Sequence, residues 1–161
     1  MLVGMSSFEP LTTPRLSLVP FELETARAVI SGDLSSLDPA PGWPHEDTVD
    51  GLSGAVKYGW PAGWMVTFEG KVIGDCGTHG PADKDGTIEI GYGLASSYRS
   101  RGFGTELVGA ISAWLLGQPE VRVVLASTLA DNVASRRVLE KNHFTFVGFD
   151  DEGQARYRRD A

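Results

Sequence analysis

The strand-like segment TIEIGYGL (residues 87–94) and the turn RSRGFG (residues 99–104) decide the fold of this chain. Apolar residues alternate through the first segment, and residues 105–116 after the turn carry apolar side chains at helical spacing. Glycines let the backbone turn sharply, and the first N–H groups of a helix lack intrahelical partners, so this layout can bind an anion. Arg99 and Arg101 add charges suited to phosphate oxygens. The segment therefore predicts a phosphate site.

A dinucleotide-binding fingerprint is the alternative for the same segment, because Gly91 and Gly93 have the spacing of its first two glycines. Ser96 stands where the third glycine belongs, and the chain continues to Arg99 before the helix begins. That fingerprint needs a helix directly after the strand, so the spacing disfavours it.

The turn also resembles the signature of a known family. Its R-x-x-G-x-G pattern (residues 99–104) is similar to the Gln/Arg-x-x-Gly-x-Gly/Ala signature of the GCN5-related N-acetyltransferases, the GNAT family. Residues 89–94 resemble the strand before that signature, and residues 132–144 resemble a later helix of the family. Residues 13–18 resemble the opening strand of the branch that acetylates ribosomal-protein N-termini. The four matches occur in order and cover most of the chain.

Composition limits the classes of function. A chain of 161 residues suits one domain, and its net charge of −7 argues against nucleic acid as the main partner. The acidic balance suits a cationic substrate such as an amine. The single cysteine, Cys76, excludes an internal disulfide and favours a reducing compartment. No apolar run is long enough to span a membrane, and residues 1–5 lack signal-peptide features, so we expect a cytoplasmic protein.

The hydrophobic pattern predicts a mixed α/β domain over residues 15–161, preceded by a loose arm over residues 1–14. The antiparallel N-terminal half is followed by a βαβ unit with parallel strands. The predicted strands are residues 15–19, 64–68, 71–76, 87–94, 121–126 and 144–149, with a last edge strand over 155–159. The predicted helices are residues 21–30, 46–58, 105–116 and 132–141.

The resemblance implies that acetyl-CoA is the acetyl donor. In the family, the backbone of the strand before the turn pairs with the pantetheine arm, and the amides of the turn hold the pyrophosphate. An asparagine at the later helix hydrogen-bonds the pantetheine, although Asn132 could also serve as a helix cap. The donor-binding residues implied here are Leu94, Arg99, Ser100, Arg101, Gly102, Phe103, Gly104, Thr105 and Asn132.

Glu89 is the candidate general base, because comparable acidic residues in this branch act through a water. Partial burial would raise the pKa of its carboxyl group, which would make it a better base near neutrality. The alternative is a cross-strand ion pair. Many family members place a tyrosine acid on the later helix, where this chain has Leu139. Ser135 is the candidate substitute, and protonation of the departing thiolate by water is the alternative.

Three histidines and Cys76 have no metal-ligand spacing, so no metal site is predicted. In the family that this chain resembles, a glycine usually stands at the position of His143 and forms a left-handed helix cap. Histidine adopts that backbone conformation less readily than glycine does. His79, which follows a predicted strand, and His45, in the variable loop, are candidates for the substrate site. Cys76 suits a small core residue.

The segment from 33 to 64 is the predicted source of substrate choice. It combines tryptophans with acids, a set that suits a cation, although the tryptophans could equally fix the loop to the core. Its members are Trp43, Trp60, Trp64, Asp33, Asp38, Glu46, Asp47 and Asp50.

The family resemblance implies an acetyl-CoA-dependent N-acetyltransferase that acts by direct attack of a primary amine in a ternary complex. The branch resemblance suggests a protein N-terminal amine as the acceptor. The alternatives are acetylation of a small polycationic amine or antibiotic, and a non-catalytic acyl-CoA sensor. Homodimers are common in the family. Neither nucleic acid nor a membrane is an expected partner.

Overall fold

Eight strands form one mixed sheet in this computed structural model, which describes residues 7–161. Their spatial order is β1-β2-β3-β4-β5-β6-β8-β7. Neighbouring strands are antiparallel except β5 and β6, which are parallel. The predicted antiparallel half followed by a βαβ unit is therefore confirmed. The strands are Leu11–Thr12 (β1), Ser17–Pro20 (β2), Trp64–Phe68 (β3), Lys71–Thr78 (β4), Thr87–Leu94 (β5), Val123–Thr128 (β6), Thr145–Phe149 (β7) and Ala155–Asp160 (β8).

Helices cover both faces of the sheet. They are Leu23–Ile30 (α1), Glu46–Tyr58 (α2), Phe103–Leu116 (α3) and Val133–Lys141 (α4). Alternate residues of a strand point to opposite faces, so neighbours on β3 separate the two cores. Val66 packs in the core with Leu107 and Ile111 of α3, whereas Met65 packs with Leu52 of α2. Helices α3 and α4 therefore cover one face, and α1 and α2 cover the other.

No helix within residues 7–161 is both long and apolar enough to cross a membrane.

Two predictions about the chain ends are wrong. The arm was expected to be loose, but within residues 7–14 Phe8 is buried and its ring stacks on Trp64 with centroids 4.1 Å apart, while Leu11–Thr12 pairs with β2. Residues 1–6 lie outside the described part. The last strand, β8, is not an edge strand, because it pairs with β6 on one side and β7 on the other. The reason is that β7 and β8 form a hairpin whose second strand carries the buried residues Ala155 and Tyr157.

The parallel strands β5 and β6 separate in the middle of the sheet. Their pairing runs from Thr87 opposite Val123 to Ile90 opposite Ala126 and then stops. Beyond that point β5 pairs only with β4, through residue 94, and β6 pairs only with β8. The separation opens a cleft between the two halves of the sheet, and residues from both faces line it.

Candidate active site

The last residues of β5 present unpaired backbone to the cleft. The N–H of Ala95 donates to the carbonyl of Ile73 at 2.7 Å, on the β4 side. Successive peptide groups of a strand point in alternate directions, so the N–H and C=O of Leu94 point towards the gap. The Leu94 carbonyl accepts a hydrogen bond from Nε of Arg99 at 3.0 Å. The backbone of Leu94 is thus placed for a ligand that lies in the gap, although its carbonyl already has a partner.

The turn before α3 offers a row of free amides. Helix α3 begins at Phe103, two residues earlier than predicted, because Gly102 takes a left-handed φ of +82° as the N-cap. Ser100 is also left-handed, with φ +61°. The first helical bond runs from the Glu106 amide to the Gly102 carbonyl, and the amides of residues 100–105 have no acceptor among the described residues. A row of unpartnered N–H groups at a helix start fits a pyrophosphate.

Basic side chains surround one end of the cleft. Arg99 lines it, together with Arg137 and Lys141 of α4. The two residues on α4 were not predicted, although their spacing with Ala134 and Val138 places them on one helical face. The side chain of Arg101 is not among the lining residues; it packs 5.3 Å from the ring centre of Tyr98. The side chain of Phe103 is buried, so this residue can offer only its backbone to acetyl-CoA.

Gly104 permits close packing between α3 and α4. A Cβ atom added to Gly104 would lie 3.3 Å from Cγ2 of Val138 and 4.0 Å from Leu94. The glycine therefore sets the distance between the turn and α4 as well as lining the cleft.

The opening segment of the chain holds the phosphate turn in place. The Arg15 side chain pairs with the Glu106 carboxylate, and its NH1 donates to the carbonyl of Arg101 at 2.9 Å. Its guanidinium lies 4.2 Å from the centre of the Phe103 ring. Thr13 also donates to Glu106, at 2.6 Å. In the sequence this segment shows only a family likeness, and nothing in it predicts this contact.

Ser135 and Tyr92 meet at the open end of β5. Their hydroxyl oxygens are 2.8 Å apart, and burial raises the pKa of the Tyr92 phenol. Asn132 is the N-cap of α4, because its side chain accepts from the Ser135 amide at 3.1 Å. Leu139 is fully buried, so the absent helix tyrosine is replaced by core packing. Tyr92 was missed as a site residue; its place on a strand rather than the helix hid it.

Glu89 lies on the opposite face of β5 and is surrounded by hydrogen-bond donors and cations. Oε2 is 2.6 Å from Nδ1 of His79, and Oε1 is 3.4 Å from the Ser127 hydroxyl and 3.6 Å from NH2 of Arg156. The pKa of Glu89 is lowered, chiefly by the His79 hydrogen bond. The prediction that burial would raise this pKa is therefore wrong, because the neighbouring donors and cations outweigh desolvation. The alternative of a cross-strand ion pair is what the structure shows.

His79 is brought to the cleft by the antiparallel register of β4 and β5. Its N–H donates to the Glu89 carbonyl at 2.8 Å, and its ring bonds the Glu89 carboxylate. The hydrogen bond to Glu89 raises the pKa of the imidazole above its ordinary value, more than partial burial lowers it. His45 is the N-cap of α2 and lines the same cleft, whereas His143 is exposed and has a left-handed φ of +66°.

Two glycines of β5 face the two histidines of the cleft. A Cβ on Gly91 would lie 2.9 Å from Nε2 of His79, and one on Gly93 would meet only Nδ1 of His45, at 3.9 Å. Cys76 is buried, and burial raises the pKa of its thiol, so it is a core residue as predicted. The described residues hold no cluster of three or more metal-ligating side chains.

The predicted substrate segment supplies acids to the cleft but uses its tryptophans for packing. Trp64 is fully buried, and Trp60 stacks on Tyr58 with centroids 4.9 Å apart. Nε1 of the buried Trp43 donates to Oδ2 of Asp75 at 2.8 Å. The acids that line the cleft are Glu46, Asp47, Asp50, Asp75, Glu89, Asp150, Asp151 and Glu152; Asp33 and Asp38 do not.

A mixed sheet that splits beside a turn of free amides is the fold of solved acetyltransferase structures. The family described as the acetyltransferase (GNAT) domain matches residues 15–145. The chain belongs to the GNAT acetyltransferase family, which confirms the predicted family and the enzyme class of N-acetyltransferase.

Individual relatives agree with this assignment. The N-acetyltransferase YjdG of Bacillus subtilis (strain 168) is 32% identical over 111 residues, which are 63% of this chain and 66% of that protein. The chain thus matches just under two thirds of that relative's length.

Solved structures share the fold at low sequence identity. RimL, a ribosomal L7/L12 α-N-protein acetyltransferase in complex with coenzyme A, superposes with a TM-score of 0.71 at 18% identity, over 94% of this chain and 98% of RimL. The aminoglycoside acetyltransferase AAC(6')-Ib in complex with coenzyme A gives a TM-score of 0.64 at 18% identity, over 90% of this chain and 94% of that chain.

Proposed function

We propose that this protein transfers an acetyl group from acetyl-CoA to a primary amine by direct attack in a ternary complex. The observation that carries the proposal is the opening between β5 and β6, which has basic side chains and free amides at one end and carboxylates at the other. Family membership supports the same reaction. The opening lets two substrates meet from opposite faces of the sheet, as direct transfer requires.

The end of the cleft with basic side chains and free amides is the donor end. Its residues fit acetyl-CoA, which supplies an activated acyl carbon and a thiolate leaving group. The free amides of residues 100–105 would hold the pyrophosphate, with charge supplied by Arg99, Arg137 and Lys141. The N–H of Leu94 and the side chain of Asn132 would orient the pantetheine arm. Asn132 can do so with its amide nitrogen while its oxygen continues to cap α4.

The Ser135 and Tyr92 hydroxyls would protonate the departing thiolate. They form one hydrogen-bonded pair beside the gap, so either hydroxyl can pass a proton to the other. A phenol with a raised pKa stays protonated at neutral pH and keeps a proton to donate. Protonation by water is the competing route, and a Tyr92→Phe variant with unchanged turnover would favour it.

Glu89 and His79 would act on the amine at the end of the cleft that carries carboxylates, the acceptor end. They form the acid–imidazole pair that lies beside Gly91, where β5 leaves β6. A primary amine is protonated at neutral pH and must lose a proton to attack, so a proton acceptor is needed on this side.

The charge of the acceptor end supports a cationic acceptor. The lining acids come from α2, from β4 and β5, and from the turn at residues 150–152, and they outnumber the basic groups there. Carboxylates on several sides of one cleft attract cations and hold them by charge-assisted hydrogen bonds. A protein N-terminal amine, the acceptor type named for RimL, is our first candidate. The number of acids also favours a small polycationic amine, the type named for the aminoglycoside enzyme.

The test is thiol release from acetyl-CoA across a panel of amines: short peptides with free N-termini, amino acids, polyamines and aminoglycosides. Binding of acetyl-CoA is measured in the same samples by calorimetry. We expect saturable release with one of these classes. Binding without release from any amine, including protein N-termini in a denatured ribosomal-protein mixture, would contradict the proposed function and support the sensor alternative.

We also propose that the enzyme works in the cytoplasm, which the lone buried thiol of Cys76 supports.

A further inference from the structure

We infer that Nε2 of His79 is the atom that accepts the proton from the acceptor amine, and that Glu89 acts through His79 as a positioning residue. This inference rests on the proposed function and names the proton acceptor within it. Three observations carry it: the saturation of Glu89, the free nitrogen of His79, and the position of that nitrogen over Gly91.

The Glu89 carboxylate is poorly placed to take a proton itself. Its two oxygens already face an imidazole, a hydroxyl and a guanidinium, from His79, Ser127 and Arg156. These contacts favour the ionised form, and they lower the pKa of Glu89. A carboxylate that is this weakly basic gives little driving force for taking a proton from an ammonium group.

His79 has one ring nitrogen committed and one available. Nδ1 bonds the Glu89 carboxylate, and the backbone N–H of His79 bonds the Glu89 carbonyl, so residue and ring are both fixed from β5. A carboxylate on Nδ1 favours the tautomer with the proton on that nitrogen, which leaves a lone pair on Nε2. The side chain is 61% exposed and lines the cleft, so an incoming amine can reach it.

Nε2 lies where the sheet opens. It is the nearest side-chain atom to the missing Cβ of Gly91, at 2.9 Å, and Gly91 is the first residue of β5 beyond the pairing with β6. The imidazole therefore lies over the backbone of Gly91, and an amine that approaches the gap from this side would meet Nε2. Residues of β4 and β5 and the turn between them therefore place a base, its orienting carboxylate and the start of the gap at one point.

The proton and electron balance is complete with the groups named. The acceptor ammonium gives one proton to Nε2 of His79 and becomes a neutral amine. Its nitrogen lone pair forms the C–N bond to the thioester carbonyl carbon, and the C–S bond breaks with its electron pair going to sulfur. The second proton of that nitrogen ends on sulfur, directly or through the Tyr92 and Ser135 hydroxyls. Imidazolium then releases its proton to water.

The charged neighbours of His79 set the expected pH profile. Glu89 raises the pKa of His79. Arg156 forms its ion pair with the Glu89 carboxylate and not with the imidazole. The same cleft is lined by acids of α2 (Glu46, Asp47 and Asp50) and of the turn at residues 150–152. The wild-type kcat/KM should fall on the acid side with an apparent pKa above the ordinary 6.5 of histidine, because His79 must be neutral to act.

The experiment compares His79→Gln, Glu89→Gln and the exposed control His143→Gln in the full chain, with the best amine of the panel. We expect His79→Gln to lower kcat about 100-fold or more, with KM within about threefold, and to lose the acid limb. Glu89→Gln should lower kcat less and move the acid limb to lower pH, because His79 loses the carboxylate that raises its pKa. Free imidazole should partly restore His79→Ala. His143→Gln should match the wild type in both kcat and pH profile.

Two results overturn the inference while leaving the proposed function intact. One is wild-type turnover and an unchanged acid limb in His79→Gln. The other is a larger loss in Glu89→Gln than in His79→Gln, which would make the carboxylate the base. Calorimetry with acetyl-CoA on each variant separates these results from loss of folding or donor binding. If the wild type binds acetyl-CoA and acetylates no amine, the proposed function fails, and this inference fails with it.

Discussion

At the residue scale, the two glycines of β5 that face the acceptor side make different predictions. Gly91→Ala adds a methyl group 2.9 Å from Nε2 of His79, whereas Gly93→Ala meets only His45 at 3.9 Å. We expect Gly91→Ala to lower kcat/KM by about 10- to 100-fold, because small displacements at a reacting centre are costly. Gly93→Ala is the matched control and should stay within about threefold. Equal effects of the two substitutions on steady-state kinetics would contradict this account.

His143 makes a prediction about stability. It is exposed and holds a left-handed φ of +66° after α4, a conformation that costs most L-residues about 1 kcal/mol or more. His143→Gly should therefore stabilise the fold, by about 0.5 kcal/mol once the greater freedom of glycine in the unfolded chain is counted. Denaturant unfolding measures the difference. His143→Ala keeps the strained backbone and should give no gain; a gain as large as that of glycine would show that strain is not the cause.

Some features of single residues could be predicted from the sequence, and others could not. The phosphate turn could be predicted because glycines, arginines and a helix start are local features of the sequence. The Glu89–His79 contact could not, because it depends on the register that places the end of β4 beside the start of β5. The direction of the Glu89 pKa shift was wrong for the same reason. Burial was predictable, but the neighbouring donors were not.

At the element scale, the N-terminal segment supports the phosphate turn across a long sequence separation. Arg15 bonds both Glu106 and the Arg101 carbonyl, which fixes the backbone within the row of free amides. We expect Arg15→Ala to weaken acetyl-CoA binding about 10-fold, equivalent to about 1.4 kcal/mol, by loosening the turn. Its effect on the unfolding free energy should be about 1 kcal/mol or less, since the ion pair is partly exposed.

Arg158→Ala is the control for that experiment. Arg158 also pairs with a carboxylate, Asp160, at 2.6 Å, but on β8 rather than at the turn. Calorimetry should show an unchanged acetyl-CoA dissociation constant for this variant. If Arg15→Ala binds acetyl-CoA as tightly as Arg158→Ala does, the segment has no part in shaping the turn.

The bounds of helices and strands were easier to predict than the order in which the strands pair. The bounds of α2 and β5 match the hydrophobic pattern residue for residue. The position of β8 was missed because a short, charged strand at the end of a chain resembles an edge strand, and only the buried Ala155 and Tyr157 reveal its interior place. Pairing order depends on contacts between distant segments, which local periodicity does not encode.

At the scale of the whole molecule, the Glu89–His79 pair should leave a signature in the pH dependence of stability. The pKa of Glu89 is lowered from 4.5, so its contribution is present above that pH and is lost as pH falls through the folded value. The pKa of His79 is raised from 6.5, so its contribution is full below that pH and is lost as pH rises through the folded value. The pair should therefore stabilise the fold most between about pH 4.5 and 6.5.

Thermal unfolding of the wild type and His79→Gln from pH 3 to 9 tests this window. The difference in Tm should be greatest near pH 5.5, about 1–2 °C for a partly exposed pair, and should shrink on both sides. A difference that is constant across the pH range would mean that packing, not the ion pair, links His79 to the sheet.

The opening between β5 and β6 has a kinetic consequence. The groups proposed for the donor lie with α3 and α4 on one face, and those proposed for the acceptor lie with α1 and α2 on the other. Neither substrate then blocks the entrance of the other, so we expect random order of addition. Coenzyme A should inhibit competitively against acetyl-CoA and noncompetitively against the amine, and the acetylated product should show the reverse pattern. The two products could depart through separate mouths, each without waiting for the other.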